Sequence, residues 1–192
     1  MRLFSAIATP DEIAHELELF RGGLPEARWV DPADFHVTLG FFGEIDRHVA
    51  DELAQALSEI DMPPVDLQLT GLGVFGAERP HAIVALAERT PALLSLEAAH
   101  RAIMQRLGIG DQVRKYTPHV TLGRMRRVTA GEVAAWMSQQ PAFRPLGWRA
   151  DRFAVYSSRT SRGGGPYVAE VTFRLEDGRT PPPRPVLPEE GL

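Results

Sequence analysis

The chain of 192 residues contains no cysteine. Disulfides, thiolate zinc sites, iron–sulfur clusters and a cysteine nucleophile are therefore excluded, while the redox compartment stays open. No apolar run approaches the roughly 18–20 residues needed to cross a bilayer. Residues 1–8 are apolar but short, and Pro10-Asp11-Glu12 follow at once, which is wrong for a secretion signal. A soluble, cytoplasmic protein without membrane contact is the expectation. Neither sign of charge dominates: 21 Lys and Arg stand against 25 Asp and Glu, a net charge of −4. That argues against a polycation coating nucleic acid by bulk charge, and leaves room for a local basic pocket. Glycine signatures for nucleotide phosphates are also missing. Gly22-Gly23 and Gly163-Gly164-Gly165 are neither followed by Lys-Ser/Thr nor set between a strand and a helix start, so they read as loops. What remains is ordinary globular composition, 44% hydrophobic and 24% charged, which rules out wholesale disorder.

Strand and helix signals alternate. Strands are predicted at residues 3–8, 35–42, 65–75, 81–87, 119–125, 148–157 and 167–175. Thr9-Pro10-Asp11-Glu12 reads as a helix start with Thr9 as the cap, running to Gly22-Gly23, and Thr90-Pro91 repeats the device for a helix ending near Leu107. Further helices are predicted at 46–60 and 129–137. Residues 1–175 carry these elements as one bilobal domain. Residues 176–192, with Pro181, Pro182, Pro183, Pro185 and Pro188, read as a mobile proline-rich tail. His15 and His48 fall on helix surfaces, Glu97 with His100 reads as a solvated helix-face pair, and His81 as a strand-end residue.

The informative feature is an internal repeat. His36-Val37-Thr38-Leu39-Gly40 recurs 83 residues later as His119-Val120-Thr121-Leu122-Gly123. In a strand, residues i and i+2 share a face. His36 with Thr38, and His119 with Thr121, are thus set to face a groove, while the aliphatic residues between them face a core. Two half-structures packed about a pseudo-twofold would bring both His-Thr pairs into one cleft. Histidine titrates near pH 6.5 and serves as acid or base at neutral pH, which suits phosphodiester cleavage: one imidazole for the attacking hydroxyl, one for the leaving oxygen. Each Thr hydroxyl is placed to bind a non-bridging phosphoryl oxygen. Arg124 follows the second copy. In a regular strand it takes the opposite face from His119, so to reach a phosphate it must turn round the strand's end or ride on a bulge. Arg126 and Arg127 extend the basic stretch toward a neighbouring RNA phosphate. A zinc reading is disfavoured, because neither copy has a second His or a carboxylate at ligand spacing.

These motifs resemble those of the 2H phosphoesterase superfamily, named for two H-x-T/S-x motifs, and within it the branch of RNA 2′,3′-cyclic phosphodiesterases, also called 2′-5′ RNA ligases. The residues that carry the likeness are Met1-Arg2-Leu3-Phe4, Arg28-Trp29-Val30, the run from Phe35 to Glu44, Tyr116-Thr117-Pro118 with His119 to Arg124, Val155-Tyr156-Ser157-Ser158 and Gly165-Pro166-Tyr167. Phe42 stands where the branch usually has Leu. The resemblance spans about residues 1–175 and implies an α+β fold of two pseudo-symmetric lobes, each an antiparallel sheet with helices, with the active cleft between.

It further implies hydrolysis of RNA 2′,3′-cyclic phosphate ends to 2′-phosphates without metal or cofactor, tRNA halves being one candidate substrate, by a monomeric enzyme. By carry-over His119 activates water, His36 protonates the departing O3′, and Thr38, Thr121 and Arg124 hold the phosphate. A 5′-hydroxyl in place of water gives 2′-5′ ligation. Tyr116, Phe41 and Phe42 are candidates for stacking on a base. Two other readings stay open: a 2H phosphodiesterase acting on a small cyclic nucleotide or a 2′-5′ oligonucleotide, and a non-catalytic module that binds RNA ends.

Overall fold

The alternation of strands and helices produces a sheet whose strands do not pair in chain order. The computed structural model describes residues 2–110, 115–158 and 167–176. Along the chain it has β1 (Arg2–Ala8), α1 (Asp11–Glu18), β2 (Ala27–Trp29), a 3-10 turn (Pro32–Asp34), β3 (His36–Glu44), α2 (Arg47–Ser58), β4 (Val65–Phe75), β5 (Ala82–Ala87), α3 (Pro91–Leu107), β6 (His119–Met125), α4 (Ala130–Ser138), β7 (Leu146–Ala150), β8 (Arg152–Ser158) and β9 (Tyr167–Arg174). The sheet order is β7-β4-β5-β6-β3-β1-β8-β9, with β2 also on β6, and each neighbouring pair is antiparallel. The fold is α+β, in two lobes. One is β3-β1-β8-β9 and the other β6-β5-β4-β7.

The lobes are not simply the two halves of the chain. The strand after α2, β4, crosses to the second lobe, and β8 crosses back to the first. That exchange corrects the expectation of one strand over 148–157. Ala150 is buried on β4 and Phe153 is buried in the first lobe, with the chain changing sheets at Asp151 between them. The lobes meet through a single register pair, Val37 with Val120. Past it the edge of β6 is taken over by β2, which pairs at Gly123–Met125, so β3 and β6 diverge and a cleft opens.

Local sequence explains the helices. Thr90 caps α3, its hydroxyl accepting the Leu93 N–H at 3.3 Å, and Gly108 ends it in the left-handed region at φ 64°. Thr129 and Glu132 form a reciprocal capping box at the start of α4. Helix α1 differs from the expectation. Pro10, not Thr9, holds the cap position, without a side-chain cap, and the helix closes at Glu18, short of Gly22-Gly23. Helix α3 spans the seam, touching β3 of one lobe and β4 of the other. Its buried Leu93 and Leu96, with Leu53 and Leu57 of α2, join Val37, Leu39, Val120 and Leu122 in one core. Each fully buried aliphatic side chain contributes about 1.5–3 kcal/mol. No helix among the described residues is long and apolar enough to cross a membrane. The predicted tail, apart from Glu176, and the glycine loop at 163–165 lie outside the described residues.

His100 is not solvated. It is fully buried in α3, its Nδ1–H donates to Leu96 O at 2.8 Å, and its ring meets Phe153 edge-on at 4.7 Å. Burial lowers its pKa from 6.5 to about 4 against the opposing carbonyl bond. The unfolded chain protonates this ring near pH 6.5 and the folded chain only near pH 4. Between those values the unfolded state binds more protons, so stability is complete above pH 6.5 and falls as pH drops. From pH 7 to pH 5 the loss from this ring is about 2 kcal/mol. Urea unfolding at the two pH values is expected to show a fall in stability that is larger in the wild type than in His100→Met by about that amount, the remainder coming from His36 and His119, whose pKa values are also lowered. Equal losses in both proteins would mean that His100 is protonated in the fold.

Candidate active site

Each histidine of the repeat is locked by the residue two positions before it. Asp31 accepts the Ala33 N–H at 3.0 Å and starts the 3-10 turn, which brings Asp34 O within 2.7 Å of His36 Nδ1. In the second copy Thr117 O lies 2.7 Å from His119 Nδ1. A carbonyl only accepts, so both Nδ1 atoms carry the proton and both Nε2 atoms are left as bases. His36, Thr38, His119 and Thr121 are half-buried, while Val37, Leu39, Val120 and Leu122 between them are buried. The antiparallel pairing of Val37 with Val120 sets the two His-Thr faces side by side across the seam.

The surroundings strip both imidazoles of charge. His36 falls to about 4 through burial, with smaller contributions from the positive charges of His119 and Arg124. His119 is lowered by burial and then by Arg124, against the Thr117 carbonyl bond. Both rings are neutral at pH 7 in the free protein. A nearby anion favours the protonated form of an imidazole, against the effect of burial.

Arg124 reaches the cleft by a bulge. The β5–β6 register passes from Ile83–Gly123 to Val84–Thr121, which leaves Leu122 as the extra residue. Leu122 and Gly123 are then both buried, and Arg124 returns to the exposed face of His119 and Thr121. Its charge acts on both histidines from there. The first copy repeats the device: Ser5 pairs with Gly40 and Ala6 with Thr38, so Leu39 is extra. The bulge also explains the glycine of each motif. Turned onto the packed face, a Cβ at Gly40 would lie 3.0 Å from Met104 Sδ, and one at Gly123 would lie 2.9 Å from the Trp29 ring.

Aromatic rings to which the motifs assign no role at the site line it. Phe4, Tyr167 and Tyr156 surround His36, with centroids at 5.0, 5.3 and 6.4 Å, and Phe75 meets His119 edge-on at 4.7 Å. Tyr156 and Tyr167 belong to the late motif of the sequence, but only the return of β8 and β9 to the first lobe shows what they touch. A cavity of about 570 Å3 opens beside His119, lined by Thr38, Phe41, Phe75, His81 and Tyr116 among others. Of the three stacking candidates, Phe41 is 59% exposed and lines this cavity. Tyr116 lines it too, with its hydroxyl donating to Thr38 O at 3.1 Å and so tying the loop before β6 to β3. Phe42 does not face it: at 2% exposure its ring is core, because the bulge at Leu39 sends alternate residues the other way. Arg126 and Arg127 are exposed just beyond β6. Among the described residues no three side chains of metal-ligating type gather where an ion could sit.

The model of the LigT-like phosphoesterases matches the chain twice, over residues 7–85 and 84–167, once around each histidine. The chain belongs to the LigT-like phosphoesterase family. An RNA 2′,3′-cyclic phosphodiesterase of Thermotoga maritima is 28% identical over 93% of this chain and 97% of its own. Two crystal structures share the LigT-like fold closely. A Thermus thermophilus protein superposes with a TM-score of 0.74 at 27% identity, covering 93% of this chain and all of that one. Escherichia coli LigT in complex with 3′-AMP superposes with 0.73 at 25% identity, covering 91% and 97%. Membership makes this LigT-like chain a 2H phosphoesterase, and the double match restates the duplication seen in its two bulged His-x-Thr strands.

Proposed function

We propose that the protein hydrolyses RNA 2′,3′-cyclic phosphate ends to 2′-phosphates with its own side chains alone. The observation that carries this is the pair of Nδ1-locked histidines with both Nε2 atoms free on one cleft that also holds Thr38, Thr121 and Arg124. His119 removes a proton from water as its oxygen bonds to phosphorus. The P–O3′ bond breaks, and His36 delivers a proton to O3′. Thr38, Thr121 and Arg124 hold the phosphoryl oxygens and stabilise the charge that builds there. Both rings are neutral before the substrate arrives, so the proton on His36 is taken up with the anionic phosphate. A 5′-hydroxyl attacking in place of water forms a 2′-5′ bond, but water is in large excess and ring opening is downhill, so hydrolysis dominates. The enzyme acts as a monomer in the cytoplasm on RNA ends such as those of tRNA halves.

An RNA ending in 2′,3′-cyclic phosphate, incubated with the purified protein, is expected to give the 2′-phosphate isomer. A 3′-phosphate product would reverse the bond assignment, and no turnover would leave an RNA-end binding module. Excess EDTA is expected to leave the rate unchanged. Inhibition by EDTA that a divalent ion reverses would replace the two-histidine mechanism by a metal-assisted one.

A further inference from the structure

Arg28 has no part in the chemistry above, yet its position is unusual. In the β2–β6 ladder it lies directly opposite Arg124. Directly opposed residues of antiparallel strands share a face, with Cβ atoms roughly 4.5–5.5 Å apart. Trp29, the next residue, takes the other face, where it packs against Gly123 and the Trp136 ring. Arg28 is therefore on the cleft side, exposed, and its charge acts on Tyr167, as does that of Arg124. Like charges set opposite each other on a strand pair destabilise it. Neither arginine has a carboxylate partner among the described residues. Asp34, which also acts on Tyr167, accepts the Tyr167 N–H at 3.2 Å. Arg126 and Arg127 continue the same basic strip beyond β6. A pair of uncompensated guanidinium groups at the His36 end of the cleft calls for a ligand with more than one negative charge, and a single cyclic phosphate has one.

We propose that Arg28 holds a phosphodiester of the RNA strand on the 5′ side of the terminal nucleotide, so that the cleft favours oligonucleotides over single 2′,3′-cyclic nucleotides. This rests on the functional reading above and adds the substrate's second phosphate to it. Arg124 serves the reacting phosphate, Arg28 the next one along the chain, and their mutual repulsion is relieved when both are occupied.

The test compares an RNA trinucleotide ending in 2′,3′-cyclic phosphate with the corresponding cyclic mononucleotide. Arg28→Gln is expected to lower kcat/KM for the trinucleotide about tenfold more than for the mononucleotide. It should also make the fall of kcat/KM with salt shallower for the trinucleotide, by about 0.7 in log–log slope for one lost phosphate contact. Arg28→Lys should keep most of the salt slope. Arg106→Gln, an equal charge change on the exposed side of α3, should alter neither ratio nor slope. An equal loss on both substrates would overturn the proposal and put Arg28 at the reacting phosphate, and no loss on either would overturn it by leaving Arg28 in solvent. If the wild type turns over neither substrate, the functional reading fails. Fluorescence-anisotropy binding of the trinucleotide then still tests Arg28: weaker binding and a shallower salt slope in Arg28→Gln sustain the contact, and identical binding removes it.

Discussion

His36→Ala and His119→Ala are each expected to lower cyclic-phosphate hydrolysis about 10²–10⁴-fold, the usual cost of a missing acid or base. Both rings are half-buried on the cleft face, and among the described residues their hydrogen bonds go to the carbonyls of Asp34 and Thr117, so near-UV circular dichroism should show intact folds. The double variant should lose little beyond the worse single one, since the two groups act in one proton-transfer cycle. The pH dependence follows from the lowered pKa values. Turnover needs one ring protonated and one neutral, and in the free protein His36 titrates near 4 and His119 below 6.5. Above both values the productive form declines about tenfold per pH unit, so kcat/KM should rise as pH drops from 8 through neutrality and turn over only in acid. The kcat profile, which reports the complex, should lie at higher pH, because the bound anion raises both values. A kcat/KM that is flat from pH 5 to 8, or a histidine variant with near wild-type rate, would sink the acid–base pair.

Removing the fork of Arg124 is the second large effect. Arg124→Gln is expected to cost about 10²–10³-fold in kcat, the range seen when one donor to a developing charge is deleted. Arg124→Lys keeps the charge but not the paired N–H groups and should fall between. The two variants also separate field from geometry. Burial is the main cause of both lowered imidazole pKa values, and the arginine's charge lowers them further. Its loss in Arg124→Gln should therefore move the kcat/KM profile to higher pH, and Arg124→Lys should leave the profile in place. Unchanged turnover in Arg124→Lys would show that the side chain points to solvent. A single profile shared by wild type and Arg124→Gln would show that its charge is screened from the rings.

The face of each motif strand is legible in the alternation His36-Val37-Thr38-Leu39, because polar and aliphatic residues at period two can satisfy only one orientation. A bulge is not legible in that alternation. An inserted residue leaves the composition untouched, and Leu39-Gly40 and Leu122-Gly123 look like ordinary strand. Hence Arg124 can be placed only as a condition, and Phe42 is assigned to the cleft although its ring is core. The break between β7 and β8 is only faintly marked: Asp151, a residue that strands disfavour, is a weak local sign, and which sheet each part joins depends on partners far away in sequence. The aromatic surround of His36 is non-local in the same sense, drawing Phe4 from β1 and Tyr156 and Tyr167 from β8 and β9. His100 is misplaced by sequence alone because a helix-face histidine beside Glu97 carries no mark of the Phe153 ring that closes over it.

Phe41 and Arg124 stand at equivalent points of the two bulged strands, one step beyond each paired glycine. Two identical half-units would repeat one side chain in both places, and a ligand turned through 180° would then meet the same surroundings. A single covalent chain lifts that degeneracy. With a permanent cation on one copy and an apolar ring on the other, the cleft has a polarity along its length. The two imidazoles, though alike in sequence and in their carbonyl anchors, are no longer interchangeable to anything that binds between them.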